Sequence, residues 1–179
     1  MAICSLNRNL LKTSTCGYSL MTITDLYLAN YADVTASALG TDSGGCETVT
    51  SITLGNSAKW YRIEPAKGST TFTDELVVAD NGAKYRTHTI TFTINGEYDG
   101  CLHLDFDALS LGRYFVVAKT GSGNYIALGR TVGLEAETAT LTGSDETNGM
   151  EVTLSANAAE SVIPLSSGAV TELLANVAE

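Results

Sequence analysis

Proline is nearly absent from the 179 residues, with two copies, and tryptophan occurs once. So little proline, beside 17 glycines, excludes collagen-like and proline-rich linker architectures. Basic residues are scarce too: ten Lys and Arg stand against 20 Asp and Glu, a net charge of −10. A surface that neutralises phosphate needs clustered Lys and Arg, and the sequence has no such cluster. Tight binding to nucleic acid or to anionic membranes is therefore not expected. No apolar run approaches the roughly 18–20 residues of a membrane helix, so no span is expected. The opening residues, Met1 to Arg8, lack a basic region followed by an apolar stretch and a small-residue cleavage site, so no secretory signal is expected. The cysteines, at 4, 16, 46 and 101, form no C-x-x-C pair. Reduced thiols are the expectation, a disulfide the alternative that fold geometry decides.

What the sequence does have is threonine, 24 copies, with Val, Ile, Tyr and Gly around it. These residues favour strands and turns over helices. Apolar residues make up 44% of the chain, enough for a real core, and the length fits one domain. Charge is uneven: from Leu134 to Glu179 there are eight acidic residues and no basic one.

Residues 1–19 are irregular and slightly basic, through Arg8 and Lys12, and read as an arm. Residues 20–163 read as the folded domain and 164–179 as a C-terminal extension. Leu20 to Ala29 reads as a first strand, Asn30 to Gly45 as a loop of small polar residues, and Thr48 to Leu54 and Lys59 to Ile63 as further strands. Phe72 to Ala79 leads into Asp80-Asn81-Gly82, a hairpin signal of type I′. Tyr85 to Ile94 alternates strictly. His88, Ile90, Phe92 and Ile94 share one face, and Thr87, Thr89, Thr91 and Thr93 the other, so one face is buried and one wet or at an interface. Asp99 to Leu111 fits a helix ending at Gly112 or, because Leu102, Leu104 and Phe106 alternate, a strand. Arg113 to Lys119 with Asn124 to Leu128, and Leu134 to Thr142 with Met150 to Ser155, read as two hairpins, and Val170 to Val177 as a short helix. The fold class that follows is mainly β: an antiparallel sandwich or partly closed barrel with one short helix.

Chemistry is thin. Asp42-Ser43-Gly44-Gly45 resembles a serine-protease nucleophile loop, but no histidine precedes it to act as base. His88 sits on an apolar face, where a hydrogen-bonded core histidine is the commoner outcome. His103 with Asp105 or Asp107 lacks the donor cluster of a metal site. Cys101 has only His103 near it in sequence, and Gly121-Ser122-Gly123 lacks the lysine and helix of a phosphate loop. Trp60, Tyr61 and Tyr98 suit stacking on a ligand or packing in a core. No enzyme, cofactor or metal is expected.

From Cys16-Gly17 onward the order of segments resembles phage tail tube proteins of phages and prophages of gut bacteria. The residues that carry the resemblance are Leu26 to Asp33, Lys67-Gly68-Ser69-Thr70-Thr71-Phe72-Thr73, Asp80 to Tyr85 with Thr87 to Phe92, Asn124 to Gly129, Gly133-Leu134-Glu135, and Asn148 to Leu154. It spans roughly residues 16 to 165, and residues 1–15 and the tail after Pro164 depart from the pattern. It implies a structural virion protein of the tail, assembled in the host cytoplasm. Six-membered rings of identical subunits stack into a tube that contacts other tail proteins and conducts viral DNA without binding it tightly. An acidic wall suits that role, because it repels phosphate. On this reading Thr87, Thr89, Thr91, Thr93, Glu135, Glu137 and Glu151 face the lumen, and Arg8, Lys12, Asp42, Lys67 and Phe72 make contacts between subunits or rings. The other expectation is a sandwich-type decoration or adhesin module with an exposed aromatic patch around Trp60.

Overall fold

A computed structural model describes residues 22–95, 101–144 and 148–178. The chain runs β1 (Ile23–Asn30), a 3-10 turn (Tyr31–Asp33), β2 (Val34–Thr41), β3 (Glu47–Leu54), β4 (Tyr61–Ile63), β5 (Thr71–Val78) and β6 (Lys84–Ile94). It continues through α1 (Leu102–Leu111), β7 (Arg113–Thr120), β8 (Tyr125–Leu128), β9 (Leu134–Gly143), β10 (Asn148–Ala158), β11 (Ile163–Pro164) and α2 (Ser167–Ala175). All pairings between these strands are antiparallel. The protein is mainly β, as the threonine-rich sequence predicts.

The centre is the β1–β7 pair, in register from Ile23↔Thr120 to Asn30↔Tyr114. β4 lies on the free edge of β1, β8 on the other edge of β7, and β11 beyond β8. After β8 a short excursion closes with the Gly133 N–H donating to the Gly129 carbonyl at 2.7 Å. β9 then starts beside β7, at Tyr114↔Leu134 and Arg113↔Glu135, and leaves it to pair with β10. β10 pairs with β6, and β6 with β5. The sheet therefore folds over itself at β9 in a sandwich-like arrangement, and a separate β2–β3 hairpin makes a further layer.

Two hydrophobic clusters result, one on each side of β1 and β7. Leu26, Leu28, Tyr114, Val116 and Ala118 face Ile90, Phe92, Val152 and Leu154, with Leu109 of α1 also in this cluster. Tyr27, Ala29, Phe115 and Val117 point the other way, onto Trp60, Val49, Ala127 and Leu173. The 164–178 segment is part of this second cluster. Leu165 bridges to Val49, Val177 to Trp60, and Ala169 and Leu173 of α2 are buried.

Several expectations change here. The 30–45 stretch is a strand rather than a loop over Val34–Thr41, because β3 offers it a ladder from Val34↔Leu54 to Thr41↔Glu47. The Asp80-Asn81-Gly82 turn is not type I′. Only Gly82 has positive φ, +81°, and Ala79 brackets the loop by accepting from Gly82 N–H at 2.8 Å and donating to Ala83 at 2.9 Å. That is a three-residue loop closed by a left-handed glycine. The 99–111 ambiguity resolves as helix, its first residues lying outside the described ones. Gly112 has φ −84°, so it is not there for a left-handed cap. A Cβ at this position would overlap the Tyr114 hydroxyl and come within 2.8 Å of the Ala108 carbonyl. That hydroxyl donates to the same Ala108 carbonyl at 2.5 Å. Gly112→Ala is expected to cost about 1–3 kcal/mol of stability and Tyr114→Phe about 1 kcal/mol. Thermal and urea denaturation of the two variants measures both. An unchanged melting temperature for Gly112→Ala contradicts the packing described.

Candidate functional site

The outer face of the β9–β10–β6–β5 sheet follows from the strand registers. Thr87, Thr89, Thr91 and Thr93 of β6 lie opposite Asn157, Ser155, Thr153 and Glu151 of β10. On the other side Thr91, Thr89 and Thr87 lie opposite Thr71, Thr73 and Glu75 of β5. Glu151 and Thr153 in turn face Thr140 and Thr138 of β9. Successive residues of a strand alternate between faces, so these side chains share one surface while Ile90, Phe92, Val152 and Leu154 fill the core behind it. The β6 threonines also bond to β10. Thr87 Oγ1 donates to Asn157 Oδ1 at 3.0 Å, Thr91 and Thr153 hydroxyls share a bond at 2.9 Å, and Thr89 and Ser155 one at 3.3 Å. The result is a hydroxyl ladder about 20 Å long.

The acidic side chains this register places on the face are Glu75, Glu151 and Glu135, and the one cation beside them, Arg113 of β7, lies opposite Glu135. Glu137 is exposed at the bulge between Ala136 and Thr138, where the β9–β10 register shifts. Glu135 pairs with Arg113 across to β7. Sequence reasoning reaches the β6 threonines and Glu151. It misses Thr71, Thr73, Thr138 and Thr140, because only the sheet order brings β5 and β9 alongside β6 and β10.

The other expected contact residues fall elsewhere. Asp42 shapes the β2–β3 turn, its Oδ1 accepting from Gly44 N–H at 2.9 Å and Cys46 N–H at 2.8 Å. Lys67 is exposed in the turn before β5, and Phe72 packs half-buried against the first hydrophobic cluster. Arg8 and Lys12 lie outside the described residues.

Positive charge is largely occupied. Of the eight described basic residues, five are ion-paired: Arg62 and Lys119 to Asp25, Arg86 to Asp74, Arg113 to Glu135, and Arg130 to Glu160. Arg130 engages Glu160 with two nitrogens and Ser37 Oγ with a third, at 3.1 Å, tying the 129–133 excursion to β2.

His88 is 1% exposed; its Nδ1 accepts from Gly129 N–H at 3.3 Å, and its Nε2 faces Asp74 Oδ1 at 3.8 Å. Asp74 is held in turn by the Ser161 hydroxyl and Val162 N–H, so the histidine belongs to a buried structural cluster. Ser43 sits in the exposed β2–β3 turn. Among the described residues no group of three or more His, Cys, Asp or Glu is placed to hold a metal, and no helix is long and apolar enough to cross a membrane. Trp60 is buried edge-on against Phe115, ring centroids 5.7 Å apart, so it does not form the exposed aromatic patch expected of an adhesin module.

The fold and its face thus define a mainly-β protein whose distinctive surface is hydroxylic and acidic. No model of a known protein family matches the chain, and no curated protein matches it.

The Asp25 network yields a test in acid. Burial raises the carboxyl, but hydrogen bonds from Arg62 and Thr24 and the charges of Arg62 and Lys119 outweigh it and hold Asp25 below its ordinary value. A depressed carboxylate contributes stability that is complete above the unfolded-state value, about 4, and is lost as pH falls through the folded one. Asp25→Asn is therefore expected to lower the urea midpoint at pH 7, and its deficit against the parent to shrink below pH 4. A deficit that stays constant from pH 7 to pH 3 removes the carboxylate from the account.

Proposed function

We propose that this chain is a structural subunit that assembles with copies of itself into stacked hexameric rings, the tube of a phage tail, and that its hydroxylic, acidic sheet face lines the channel. The role lies in surfaces and not in catalysis, and its place is the tail of the virion. The observation that carries the reading is a sheet with one wet face and two open edges. Among the described residues β5 pairs only with β6, and β9 beyond Glu135 pairs only with β10. Strand directions alternate across β9, β10, β6 and β5, so β5 of one copy and β9 of the next meet antiparallel, the geometry a continued ladder needs. Six copies of four strands would close a ring about 35–50 Å across, wide enough for duplex DNA.

The chemistry of the wall supports the same reading. Phosphates passing a surface of hydroxyls and carboxylates meet repulsion and weak hydrogen bonds, and no cluster of cations holds them. The five ion pairs keep most of the described positive charge engaged.

Negative-stain electron microscopy of the purified protein over a concentration series is the test. Rings or tubes with a central channel are expected, and a uniform small particle at every concentration counts against the proposal. Assembled tubes are expected not to retain duplex DNA. Thr89→Lys with Thr153→Lys, which adds two cations to the face, is expected to make tubes that retain it and release it as salt rises. Retention by the parent tubes at physiological salt contradicts the lumen assignment.

A further inference from the structure

Helix α1 carries an apolar stripe that nothing in the described chain covers. Leu104, Ala108 and Leu111 follow the i, i+4, i+7 spacing of one helix face. Leu104 is 59% exposed and Leu111 86%, whereas Phe106 and Leu109 belong to the first hydrophobic cluster. Exposed Asp105 and Asp107 flank the stripe. A second uncovered apolar pair lies at the end of β5: Leu76, 54% exposed, and Val78, 57%. Their cross-strand neighbours on β6 are Arg86 and the exposed Lys84. One patch is apolar with an acidic rim, the other apolar with a basic rim.

Within one chain the two patches are kept apart. β5 is one edge of the four-stranded sheet, and α1 packs on β9 at the other, about 14 Å away across three strand spacings. Both patches lie on the side of the sheet away from the hydroxyl face. In β5, Leu76 alternates with Glu75 of that face and follows Phe72 of the core side, and α1 contributes Leu109 to the same core. They also sit at similar levels along the strands. Leu76 is in line with Arg86 and Ala158, while Leu111 shortly precedes Arg113, which is in line with Glu135 and Ser155.

We propose that the Leu104–Ala108–Leu111 stripe of one copy packs against Leu76 and Val78 of a second copy, with Lys84 of that copy facing Asp107. The contact is head-to-tail, using different surfaces on the two partners, so it propagates from copy to copy and closes only as a ring or continues as a filament. It rests on the reading that the chain assembles with itself, and it clamps the back of the seam where β5 of one copy meets β9 of its neighbour.

Full-length protein with the photo-crosslinking residue p-benzoylphenylalanine in place of Leu111, a position exposed enough to accept it, is mixed with ¹⁵N-labelled parent. After irradiation the adducts are mapped by mass spectrometry, and assembly is followed separately by sedimentation. The expected result is a mixed-isotope adduct to the 68–84 tryptic peptide. Adducts between copies that map elsewhere overturn this contact and leave self-assembly standing, as do adducts confined to one chain in a sample that sediments as oligomers. A monomer at every concentration with no intermolecular adduct overturns both the contact and the tube. Charge exchange gives an independent reading that needs no new packing. Lys84→Glu and Asp107→Lys are each expected to weaken self-association at least tenfold, and the double variant to restore most of it. Singles that assemble like the parent, or a double variant as weak as the singles, overturn the pairing.

Discussion

Strands β1 and β7 are buried on both faces, and the rest of the molecule follows from covering them. Their alternating side chains, Leu26, Leu28, Val116 and Ala118 one way and Tyr27, Ala29, Phe115 and Val117 the other, are all nearly inaccessible. Burying a side chain of the Val, Leu or Phe kind is worth about 1.5–3 kcal/mol, more than a partly exposed ion pair contributes, so the two clusters dominate the stability. One face is covered by the β9–β10–β6–β5 sheet and the other by β3 and α2. A strand pair with two dry faces must sit in a middle layer, and that position leaves the outer face of the second sheet free for another use.

Much of this is legible in the sequence where one strand carries its own pattern. In β6 every second residue from Thr87 to Thr93 is threonine and the others from His88 to Ile94 are His, Ile and Phe, so the wet and dry faces are written into eight residues. β10 repeats the pattern, with Met150, Val152 and Leu154 turned inward and Glu151, Thr153 and Ser155 outward. β2 is different. Its Val-Thr-Ala-Ser-Ala-Leu-Gly-Thr is too small and polar to signal a strand, and only the ladder from β3 makes it one. α1 is ambiguous because Leu104 and Phe106 suit either period. Leu109 and the Tyr114 hydroxyl, which closes on Ala108 across Gly112, favour the helix. The full width of the hydroxylic face stays hidden for a related reason. It joins segments more than sixty residues apart, and pairing at that distance depends on how the whole sheet folds over, which no local window contains.

The charge distribution has the same origin. A net charge of −10 gives the sign of the surface and no placement. The fold adds placement: carboxylates stand on the wet face, and most described guanidinium groups are tied to carboxylates at the joints between layers. Arg62 joins β4 to β1, Arg113 joins β7 to β9, and Arg130 joins the 129–133 excursion to Glu160. Cations thus act as rivets of the architecture.

The strict alternation of β6 also works as a proofreading device. If β6 slipped by one residue against β10, its threonines would turn into the core and Ile90 and Phe92 would turn outward. The misregistered chain would lose its dry interior and its wet face in a single step, with no half-correct intermediate between the two registers. A copy with that error therefore lacks both the packed core that holds the fold together and the hydroxylic face that distinguishes it.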